Sequence, residues 1–383
     1  MKAVFINNSE ETFTPARSGA ICTVLHEVAL RTMVTGNSPV VITRGAAVPP
    51  YQDVPVLLFR PPRLPKNALS VLAMRAQRKI LQYRNFRHGA YIRRVAAIIR
   101  QHTLNRDPMI VSNDPDLAVR LMCLFPGATV IHWFHNQLEC KNRFRSRVRG
   151  LGIRCIAVSD FTARWVENYY GLPANSVSTV YNGVDAQHFS PASAPPPGPP
   201  VINFLGRTGF EKGPDILLEA ALLLAQKGLK FKLQLIGSNH WDRFELDDYQ
   251  RKLAALVEKL EKLGISVRRP GHIGRAALPD ELRQAHIHVF TSRWDEPFGM
   301  ATLEGMACGL ATVASNTGGT PEVVGDAGLL FERENVTQLA GHLTALILDD
   351  GLHRQWAAKA RRRAEQFTWG GAWDRIRAVL DGR

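Results

Sequence analysis

Few cysteines and no long apolar run occur in this 383-residue chain. The five cysteines are odd in number and widely spaced, and no two form a Cys-x-x-Cys pair, so free thiols in a reducing compartment explain them better than disulfides. No window of about 18 residues is apolar and uncharged, so the sequence predicts no membrane-spanning helix. The apolar start at residues 3–6 stops at Asn7, too soon for a signal-peptide core. We therefore expect a cytoplasmic globular protein.

Acidic residues are absent from residues 60–106, which hold 12 lysines and arginines. Residues 1–190 carry a net charge of +13 and residues 191–383 only +1, so nearly all of the chain's excess of +14 lies in the first half. A one-sided positive field attracts an anionic membrane, an anionic substrate or nucleic acid, although a solvated arginine-rich surface has the same composition.

An amphipathic helix is predicted over residues 67–84, inside this basic segment. Its apolar positions recur at helical spacing: Leu69, Leu72, Ala76, Ile80 and Tyr83. Basic amphipathic helices commonly lie on anionic lipid surfaces, so the segment predicts peripheral docking on the inner face of the cytoplasmic membrane. The alternative is that the apolar stripe packs on the sheet of its own domain and that the arginines are only solvated.

Both halves alternate short apolar strands with longer helical patterns, which is typical of parallel sheets covered by helices on both faces. Six prolines in residues 191–200 predict a semi-rigid linker. The predicted fold class is therefore α/β, with two Rossmann-like, doubly wound domains that face a central cleft. The domains are expected at residues 1–190 and 201–365, with a C-terminal helix in residues 366–383 that packs back toward the first domain.

No Gly-x-Gly-x-x-Gly motif follows the first strand, and no acidic residue follows the second, which argues against a nicotinamide-dependent dehydrogenase. A long loop leads instead to Gly19 at the start of a helix. A glycine there permits close approach of an anionic ligand to the helix N-terminus, although it is equally consistent with a simple helix boundary.

A turn with two cations follows the first strand of the second half. Arg207 and Lys212 lie five residues apart in this turn and flank Gly209. A diphosphate needs compensating cations and close backbone approach, and the turn offers both. An ordinary turn with solvent-facing basic side chains is the alternative.

Two glutamates flank a second turn, which follows a strand predicted at residues 286–290. Pro297 and Gly299 shape this turn, and a helix is predicted to begin directly after it. The first helical amides lack partners within a helix and can hold a phosphate group; they belong to Met300, Ala301, Thr302 and Leu303. Glu296 and Glu304 are suited to accept hydrogen bonds from sugar hydroxyls. The alternative is a helix N-terminus whose acidic neighbours only suit its dipole.

At these residues the chain resembles the retaining glycosyltransferases of family 4, which have the GT-B fold. The match is ordered along residues 154–332, and the spacing of Glu296 and Glu304 matches the E-x7-E signature of the family. In the first half, His135 follows a predicted strand where the family has an active-site histidine, and Gly19 stands where the family has a Gly-Gly pair. The other matching elements are Tyr181-Asn182-Gly183-Val184-Asp185, Gly206-Arg207 with Lys212-Gly213, and Thr317-Gly318-Gly319-Thr320-Pro321-Glu322.

The resemblance implies a role for each of these residues. Arg207 and Lys212 would neutralise the diphosphate of a nucleotide-sugar donor, and Glu304 would bind the ribose hydroxyls. Glu296 would hold the donor sugar as a catalytic residue, and His135 would reach it from the other domain. The remaining donor contacts would come from Gly19, from Ile273 near the base, and from the backbone of Phe298, Gly299, Met300, Ala301, Thr302 and Leu303.

The implied reaction transfers a sugar from a nucleotide diphosphate to a hydroxyl group with retention of the anomeric configuration. We expect the acceptor to be a glycan or a lipid-linked sugar of envelope polysaccharide or lipopolysaccharide assembly, and the donor to be a UDP-sugar rather than a GDP-sugar. Two fixed cations at the diphosphate make a divalent metal unnecessary, so no metal or other cofactor is expected. Alternatives are a GT-B enzyme with a soluble acceptor and a non-catalytic protein that binds membranes or nucleic acid, although nucleic acid is not the expected partner.

Overall fold

The computed structural model describes residues 2–15, 19–60, 86–140, 142–238 and 247–382, without the side chains of residues 86, 87 and 142–144. The chain forms two compact units. The first contains the residues up to Val180 together with those from Trp369 onward, and the second contains Tyr181–Thr368.

A parallel sheet of seven strands forms the centre of the first unit, in the order β3-β2-β1-β4-β5-β6-β7. The strands are β1 Lys2–Ile6, β2 Ser38–Arg44, β3 Val56–Phe59, β4 Met109–Ser112, β5 Val130–Phe134, β6 Arg154–Ala157 and β7 Val177–Thr179. The helices described in this unit are Ala20–Val34, Phe86–Gln101, Pro115–Leu124, Asn142–Gly150, Asp160–Tyr170 and Trp369–Leu380. The strand order reverses beside β1, which pairs with β2 on one side and with β4 on the other.

A parallel sheet of six strands forms the centre of the second unit, in the order β10-β9-β8-β11-β12-β13. The strands are β8 Val201–Leu205, β9 Lys232–Ile236, β10 Ser266–Gly271, β11 Ile287–Phe290, β12 Ala311–Ser315 and β13 Leu329–Phe331. A 3-10 turn, Phe210–Lys212, precedes the α-helices Pro214–Gln226, Asp248–Lys262, Leu278–Leu282, Met300–Ala307, Thr320–Val324, Val336–Leu348 and Asp350–Ala364. Here the strand order reverses beside β8.

The central strands have both faces covered, as expected for parallel sheets between layers of helices. Every residue of β4, β5 and β12 is buried. The two doubly wound units confirm the predicted α/β fold class. In such sheets a crevice opens at the carboxyl ends of the two strands where the order reverses. That rule points to the ends of β1 and β4 in the first unit and of β8 and β11 in the second.

Two elements, the strand β3 and the helix Asn142–Gly150, have no clear pattern in the sequence. Strand β3 has only four residues and is bracketed in sequence by Pro55 and Pro61, so its strand pattern is too short to recognise. The helix Asn142–Gly150 lies in a run where arginine alternates with other residues, which hides the helical period. Val148 of this helix is buried in the core of the first unit and fixes it there.

The boundary between the units follows Val180. The sequence predicts it about ten residues later, in the proline-rich residues 191–200. Residues before the prolines are bound to the second unit. The Arg361 guanidinium donates hydrogen bonds to the carbonyl oxygens of Ala186 (2.9 Å) and Phe189 (2.8 Å). Proline content indicates a stiff backbone without N–H donors, and such a segment can lie on the surface of one unit as well as between two.

The helix Phe86–Gln101 belongs to the basic segment of residues 60–106 and has one buried and one exposed face. Its apolar face packs into the core of the first unit through Tyr91, Ile92, Val95, Ala96 and Ile99. Its exposed face carries Arg93, Arg94 and Arg100. In this helix the apolar stripe is therefore core, and the arginines supply surface charge. The helix predicted over residues 67–84 lies outside the described residues. Among the described helices, none combines the length and the apolar character needed to cross a membrane.

The helix Trp369–Leu380 packs on the first unit. Trp373 is fully buried, and its ring centroid lies 6.2 Å from that of Phe5 in β1. The indole Nε1–H donates a hydrogen bond to Thr35 Oγ1 at 2.9 Å. The last helix of the chain is thus anchored to the first strand of the chain and to the end of its first helix.

Replacement of Trp373 by alanine (Trp373→Ala) is expected to lower the free energy of unfolding by about 3–5 kcal/mol, because it removes a fully buried aromatic side chain. Urea unfolding of the purified protein, followed by near-UV circular dichroism, measures the change. Arg375→Ala, at an exposed position of the same helix, is the matched control and should change stability by less than about 0.5 kcal/mol. Equal midpoints for the two variants would contradict the anchoring role of Trp373.

Candidate active site

Two turns lie side by side at the carboxyl ends of β8 and β11, where the strand order of the second sheet reverses. The first turn, residues 206–213, follows β8, and the second turn, residues 291–299, follows β11. Thr291 Oγ1 donates a hydrogen bond to Lys212 O at 2.9 Å, so the two turns contact each other directly. This edge of the sheet is the crevice in which α/β folds bind ligands.

The two turns bring Lys212 and Glu296 together. Lys212 Nζ and Glu296 Oε1 form an ion pair, and both side chains are largely buried. Ser292 Oγ donates to the same carboxylate oxygen at 3.2 Å. A cation and a carboxylate fixed side by side can bind a phosphate group and a hydroxyl group, respectively.

A buried ion-pair network holds the two turns in place. Arg293 binds Asp215 through two hydrogen bonds, with an Nη1–Oδ1 distance of 2.8 Å and an Nη2–Oδ2 distance of 3.0 Å. Tyr249 OH (2.5 Å) and Lys252 Nζ (2.7 Å) also donate to this carboxylate. Burial by itself would raise the pKa of Asp215, but the hydrogen bonds from Arg293, Lys252 and Tyr249 hold it below its ordinary value. Asp215 is therefore an ionised, fully satisfied anchor.

Arg293 also contacts the first turn itself. Its Nη1 donates to Phe210 O at 3.0 Å, and its guanidinium carbon lies 4.3 Å from the centroid of the Phe210 ring. Neither Arg293 nor Asp215 was predicted from the sequence as part of the site. The local signal is position alone: Arg293 lies within the second turn, and Asp215 lies at the start of the helix Pro214–Gln226, directly after the first turn.

Glycines allow the backbone of the turns to approach each other. At Gly213, where φ is +62°, a Cβ atom would stand 2.4 Å from Thr291 O. At Gly318, where φ is +57°, it would stand 2.2 Å from Glu296 O, and the neighbouring Gly319 N–H donates to that oxygen at 2.6 Å. A side chain at either position would force the neighbouring backbone apart and change the position of Lys212 relative to Glu296.

The helix Met300–Ala307 begins directly after the second turn. Gly299 precedes it with φ of +102° and no side-chain cap. Leu303 differs from the expectation, because its N–H donates to Gly299 O at 3.2 Å and already belongs to the first helical turn. The amides that an α-helix leaves without an internal partner are those of Met300, Ala301 and Thr302.

Glu304 lies within this helix and is 4% exposed. Its Oε1 accepts a hydrogen bond from Arg275 Nη1 at 2.6 Å, so the residue predicted to bind ribose is paired with a cation that the sequence analysis missed. Arg275 follows the half-buried Ile273 by two residues, just after β10. Its guanidinium carbon also lies 5.3 Å from the centroid of the Phe189 ring. A hydroxyl group that reaches Glu304 would therefore meet Arg275 as well.

Arg207 and Phe298 occupy contrasting positions. Arg207 is exposed, and no ion pair joins it to another residue in the part of the chain that the structure describes. Phe298 is buried, with its ring centroid 6.1 Å from that of Tyr181 and 5.9 Å from that of Phe367. The Phe298 side chain therefore supports the second turn, and only its backbone is available for a ligand.

Gly19 begins the helix Ala20–Val34 of the first unit, and the Glu11 carboxylate lies against it. A Cβ atom at Gly19 would stand 2.8 Å from Glu11 Oε2. Cys22 Sγ lies 3.2 Å from the same oxygen, and burial raises the pKa of Glu11. The Glu11 side chain thus lies beside Gly19, on the side where the sequence predicts contact with the donor.

His135 follows β5 in the first unit and is 5% exposed. Its backbone N–H donates to Asn113 Oδ1 at 2.9 Å, and its ring centroid lies 4.6 Å from that of Trp133. Burial lowers the pKa of His135 to about 3, so the imidazole is neutral near pH 7. Nε2 is buried and has no hydrogen-bond partner among the described residues, so the neighbouring side chains would have to move before this atom could contact a ligand.

Two family profiles match the chain, one on each half. The profile described as "Glycosyltransferase Family 4" matches residues 23–188. The profile described as "Glycosyl transferases group 1" matches residues 185–363.

Three curated relatives are similar to the chain. Spore coat protein SA of Bacillus subtilis (strain 168) is 25% identical and covers 91% of this chain and 98% of its own length. D-inositol 3-phosphate glycosyltransferase of Thermobifida fusca (strain YX) is 29% identical over 66% of this chain and 64% of the relative. O-antigen chain mannosyltransferase B of Escherichia coli is 29% identical over 56% of each chain. This chain thus spans less than two thirds of the last two relatives.

The fold is shared with solved glycosyltransferase structures. HepE of Anabaena, in complex with UDP, superposes with a TM-score of 0.73 over 100% of both chains at 20% identity, which establishes a common fold. The two profiles together span residues 23–363, and both units have the expected parallel-sheet architecture. The chain therefore belongs to the family-4 type of glycosyltransferases, which have the GT-B fold.

Proposed function

We propose that the protein is a retaining glycosyltransferase that moves a sugar from a nucleotide diphosphate to a hydroxyl group of a glycan or lipid-linked acceptor. The observation that carries this proposal is the pairing of Lys212 and Glu296 beside the N-terminus of the helix Met300–Ala307. The donor is a UDP-sugar in preference to a GDP-sugar, a choice supported by the UDP bound in the structure of HepE.

The diphosphate binds at the positive side of this site. Lys212 and the exposed Arg207 compensate its charge, and the amides of Met300, Ala301 and Thr302 donate hydrogen bonds to it. Negative charge on the diphosphate grows as the bond to the sugar breaks, so these fixed donors stabilise the transition state more than the bound substrate. The binding of a diphosphate would replace the Glu296 carboxylate as the partner of Lys212.

The sugar and the ribose bind to the two glutamates. Glu296 accepts hydrogen bonds from hydroxyl groups of the donor sugar once Lys212 has turned to the diphosphate. Glu304, with Arg275, binds the ribose hydroxyls, and Ile273 contacts the base. His135 of the first unit is proposed to contact the donor sugar as the neutral imidazole, which requires its buried Nε2 to become accessible when the donor binds.

Retention follows when the acceptor attacks on the face that the nucleotide leaves. The acceptor oxygen forms the new bond to the anomeric carbon, and the bond between that carbon and the diphosphate oxygen breaks through an oxocarbenium-like transition state. The acceptor proton passes to an oxygen of the departing diphosphate. This route needs no side chain as general base, and we assign none.

The acceptor is proposed to belong to cell-envelope polysaccharide or lipopolysaccharide assembly. The similarity to O-antigen chain mannosyltransferase B supports this class. The net charge of +13 in residues 1–190 and the exposed Arg93, Arg94 and Arg100 would favour an anionic membrane surface that carries such an acceptor. In the described helix that bears these arginines, docking would be electrostatic, because its apolar face is core.

The variants Glu296→Gln and Lys212→Ala are each expected to lower kcat at least about a hundredfold, because each removes a charged contact to the reacting donor. The assay incubates the protein with UDP-, GDP- and ADP-sugars and measures released nucleotide. Glu258→Gln and Lys262→Ala are matched controls, since these residues form an exposed Lys–Glu pair on the helix Asp248–Lys262. Near-normal turnover by either folded site variant would overturn the assignment.

The variant Arg293→Lys is expected to weaken UDP binding about tenfold, because lysine keeps the charge but cannot make the two-point contact with Asp215. Calorimetric titration with UDP measures the affinity, and amide hydrogen exchange of residues 210–213 should become faster. Arg333→Lys is the control, since Arg333 pairs with Asp295 at an exposed site. Unchanged UDP affinity in Arg293→Lys would show that the network does not position the turn.

Activity is expected to survive excess EDTA, because Lys212, Arg207 and the helix amides supply the positive field at the diphosphate. The nucleotide-release assay is repeated with the chelator and then with added Mg²⁺ or Mn²⁺. Loss of activity that either metal restores would contradict a metal-independent mechanism.

A further inference from the structure

A cavity of about 610 Å³ opens in the first unit. It lies at the carboxyl ends of β1 and β4, where the strand order of that sheet reverses, and its volume is typical of a small-molecule site. Asn8 and Ser9 line it from the β1 side, and Asn113 and Asp114 from the β4 side. None of the residues assigned above to the nucleotide or the donor sugar lines this cavity.

The lining of the cavity is acidic. Five carboxylate side chains contribute to it: Glu10, Glu11, Asp114, Asp116 and Glu139. Among the described residues that line it, His88 is the one basic side chain, and there is no lysine or arginine. Two nearby arginines are engaged with the lining residues, since Arg44 Nη2 donates to Glu10 O at 2.7 Å and Arg120 Nε to Asp116 Oδ1 at 2.8 Å.

His88 holds the two deepest carboxylates in position. Its Nε2 lies 2.8 Å from Asp114 Oδ2, and its Nδ1 lies 3.3 Å from Asp116 Oδ2. Asp114 also caps the helix Pro115–Leu124 by accepting the Leu117 N–H at 3.0 Å. Asp116 is 7% exposed, and its Oδ2 makes no well-aligned hydrogen bond within the described part of the chain. Asp114 and Asp116 are thus both paired with His88, and the more exposed carboxylates of the lining are those of Glu10, Glu11 and Glu139.

The lining residues that follow β5 are held in place by hydrogen bonds as well. Tyr170 OH donates to Leu138 O at 3.0 Å, and Tyr169 OH accepts the Cys140 N–H at 3.0 Å. Asn113 Oδ1 accepts the backbone N–H of Asn136 at 3.2 Å. The lining residues Asn136, Leu138 and Cys140 are thus held by side chains from other elements, which gives the cavity a defined shape before any ligand binds.

We propose that this cavity binds the sugar ring of the acceptor and selects rings that present hydroxyl or amino groups over rings that carry a phosphate. The inference rests on the proposed glycosyltransferase function and names the chemical class of its second substrate. Ionised carboxylates only accept hydrogen bonds, so they match hydroxyl and ammonium donors. A phosphate would meet like charge, and no guanidinium among the described lining residues is placed to bind it.

The carboxylate lining of the cavity contrasts with the positive net charge of the half of the chain that contains it. Residues 1–190 carry a net charge of +13, yet their cavity is lined by carboxylates. The proposed selectivity also separates this chain from the relatives named D-inositol 3-phosphate glycosyltransferase, whose name contains a phosphorylated ring. An acceptor whose phosphate is remote from the ring, as in a lipid-linked sugar, would keep that phosphate outside the cavity.

Ligand-detected NMR with three monosaccharides on one ring skeleton tests the proposal at pH 7: glucosamine, glucose and glucose 6-phosphate. Glucosamine is expected to bind about fivefold more tightly than glucose, and glucose 6-phosphate is expected to bind at least tenfold more weakly than glucose. Glu139→Gln, at the exposed rim, should reduce the preference for glucosamine, and Asp116→Asn should abolish it. Asp374→Asn, an exposed acid of the same unit outside the cavity, is the control and should leave all three affinities unchanged.

Tighter binding of glucose 6-phosphate than of glucose, equal binding of all three sugars, or absence of binding by any of them would overturn the proposal. Because Asp116→Asn can impair folding through its contacts with His88 and Arg120, the Glu139→Gln variant provides a test that leaves the buried pairs intact. UDP binding and nucleotide release are measured on the same samples. Failure of these two readouts contradicts the proposed function, whereas failure of the sugar ranking alone contradicts only the acceptor class.

Discussion

The reversal of strand order beside β1 and beside β8 is the constraint on which both candidate sites depend. In a parallel sheet the helices that follow neighbouring strands cover opposite faces only where the order reverses, so the two outgoing loops separate and leave a crevice. In the second unit this crevice holds Lys212 and Glu296, which come from the loops after β8 and β11. In the first unit the same geometry opens the acidic cavity between the loops after β1 and β4. One topological rule thus positions two sites of opposite chemistry.

Within the second unit, ion pairs centred on Asp215 fix the two turns that form the crevice. Asp215 is almost completely buried, and an unpaired carboxylate there would be costly, so its position depends on its contacts with Arg293, Tyr249 and Lys252. Arg293, held by Asp215, also donates a hydrogen bond to the backbone oxygen of Phe210, two residues before Lys212. The lysine that would meet the diphosphate is therefore placed by a network that does not itself face the substrate, and its position costs little reorganisation during reaction.

Much of the fold and part of the site could be predicted because the signals are local. Lys212 and Glu296 each follow a strand within a few residues, and parallel topology brings strand ends to one edge. The pair of Arg293 and Asp215 could not be predicted, because the two residues are 78 positions apart and their contact depends on the register of β8 against β11. The acidic cavity was missed for the same reason, since its carboxylates are scattered along a half of the chain whose overall charge is positive. The domain boundary predicted at residues 191–200 is displaced from the observed one for a different reason. A proline-rich segment has a stiff backbone, but a stiff backbone does not by itself separate two domains.

The histidines of the first unit show that burial alone does not decide their charge. Burial opposes the charged form of His88, but Asp114 and Asp116 raise its pKa to about 10. Burial without such partners lowers the pKa of His132 and His135 to about 3. A raised pKa favours folding below the ordinary value of 6.5, and that contribution is lost as the pH rises toward 10. A lowered pKa favours folding above 6.5, and that contribution is lost as the pH falls toward 3. For these three histidines the two contributions are complete together only near pH 6.5, where His88 is charged beside Asp114 and Asp116 while His132 and His135 are neutral.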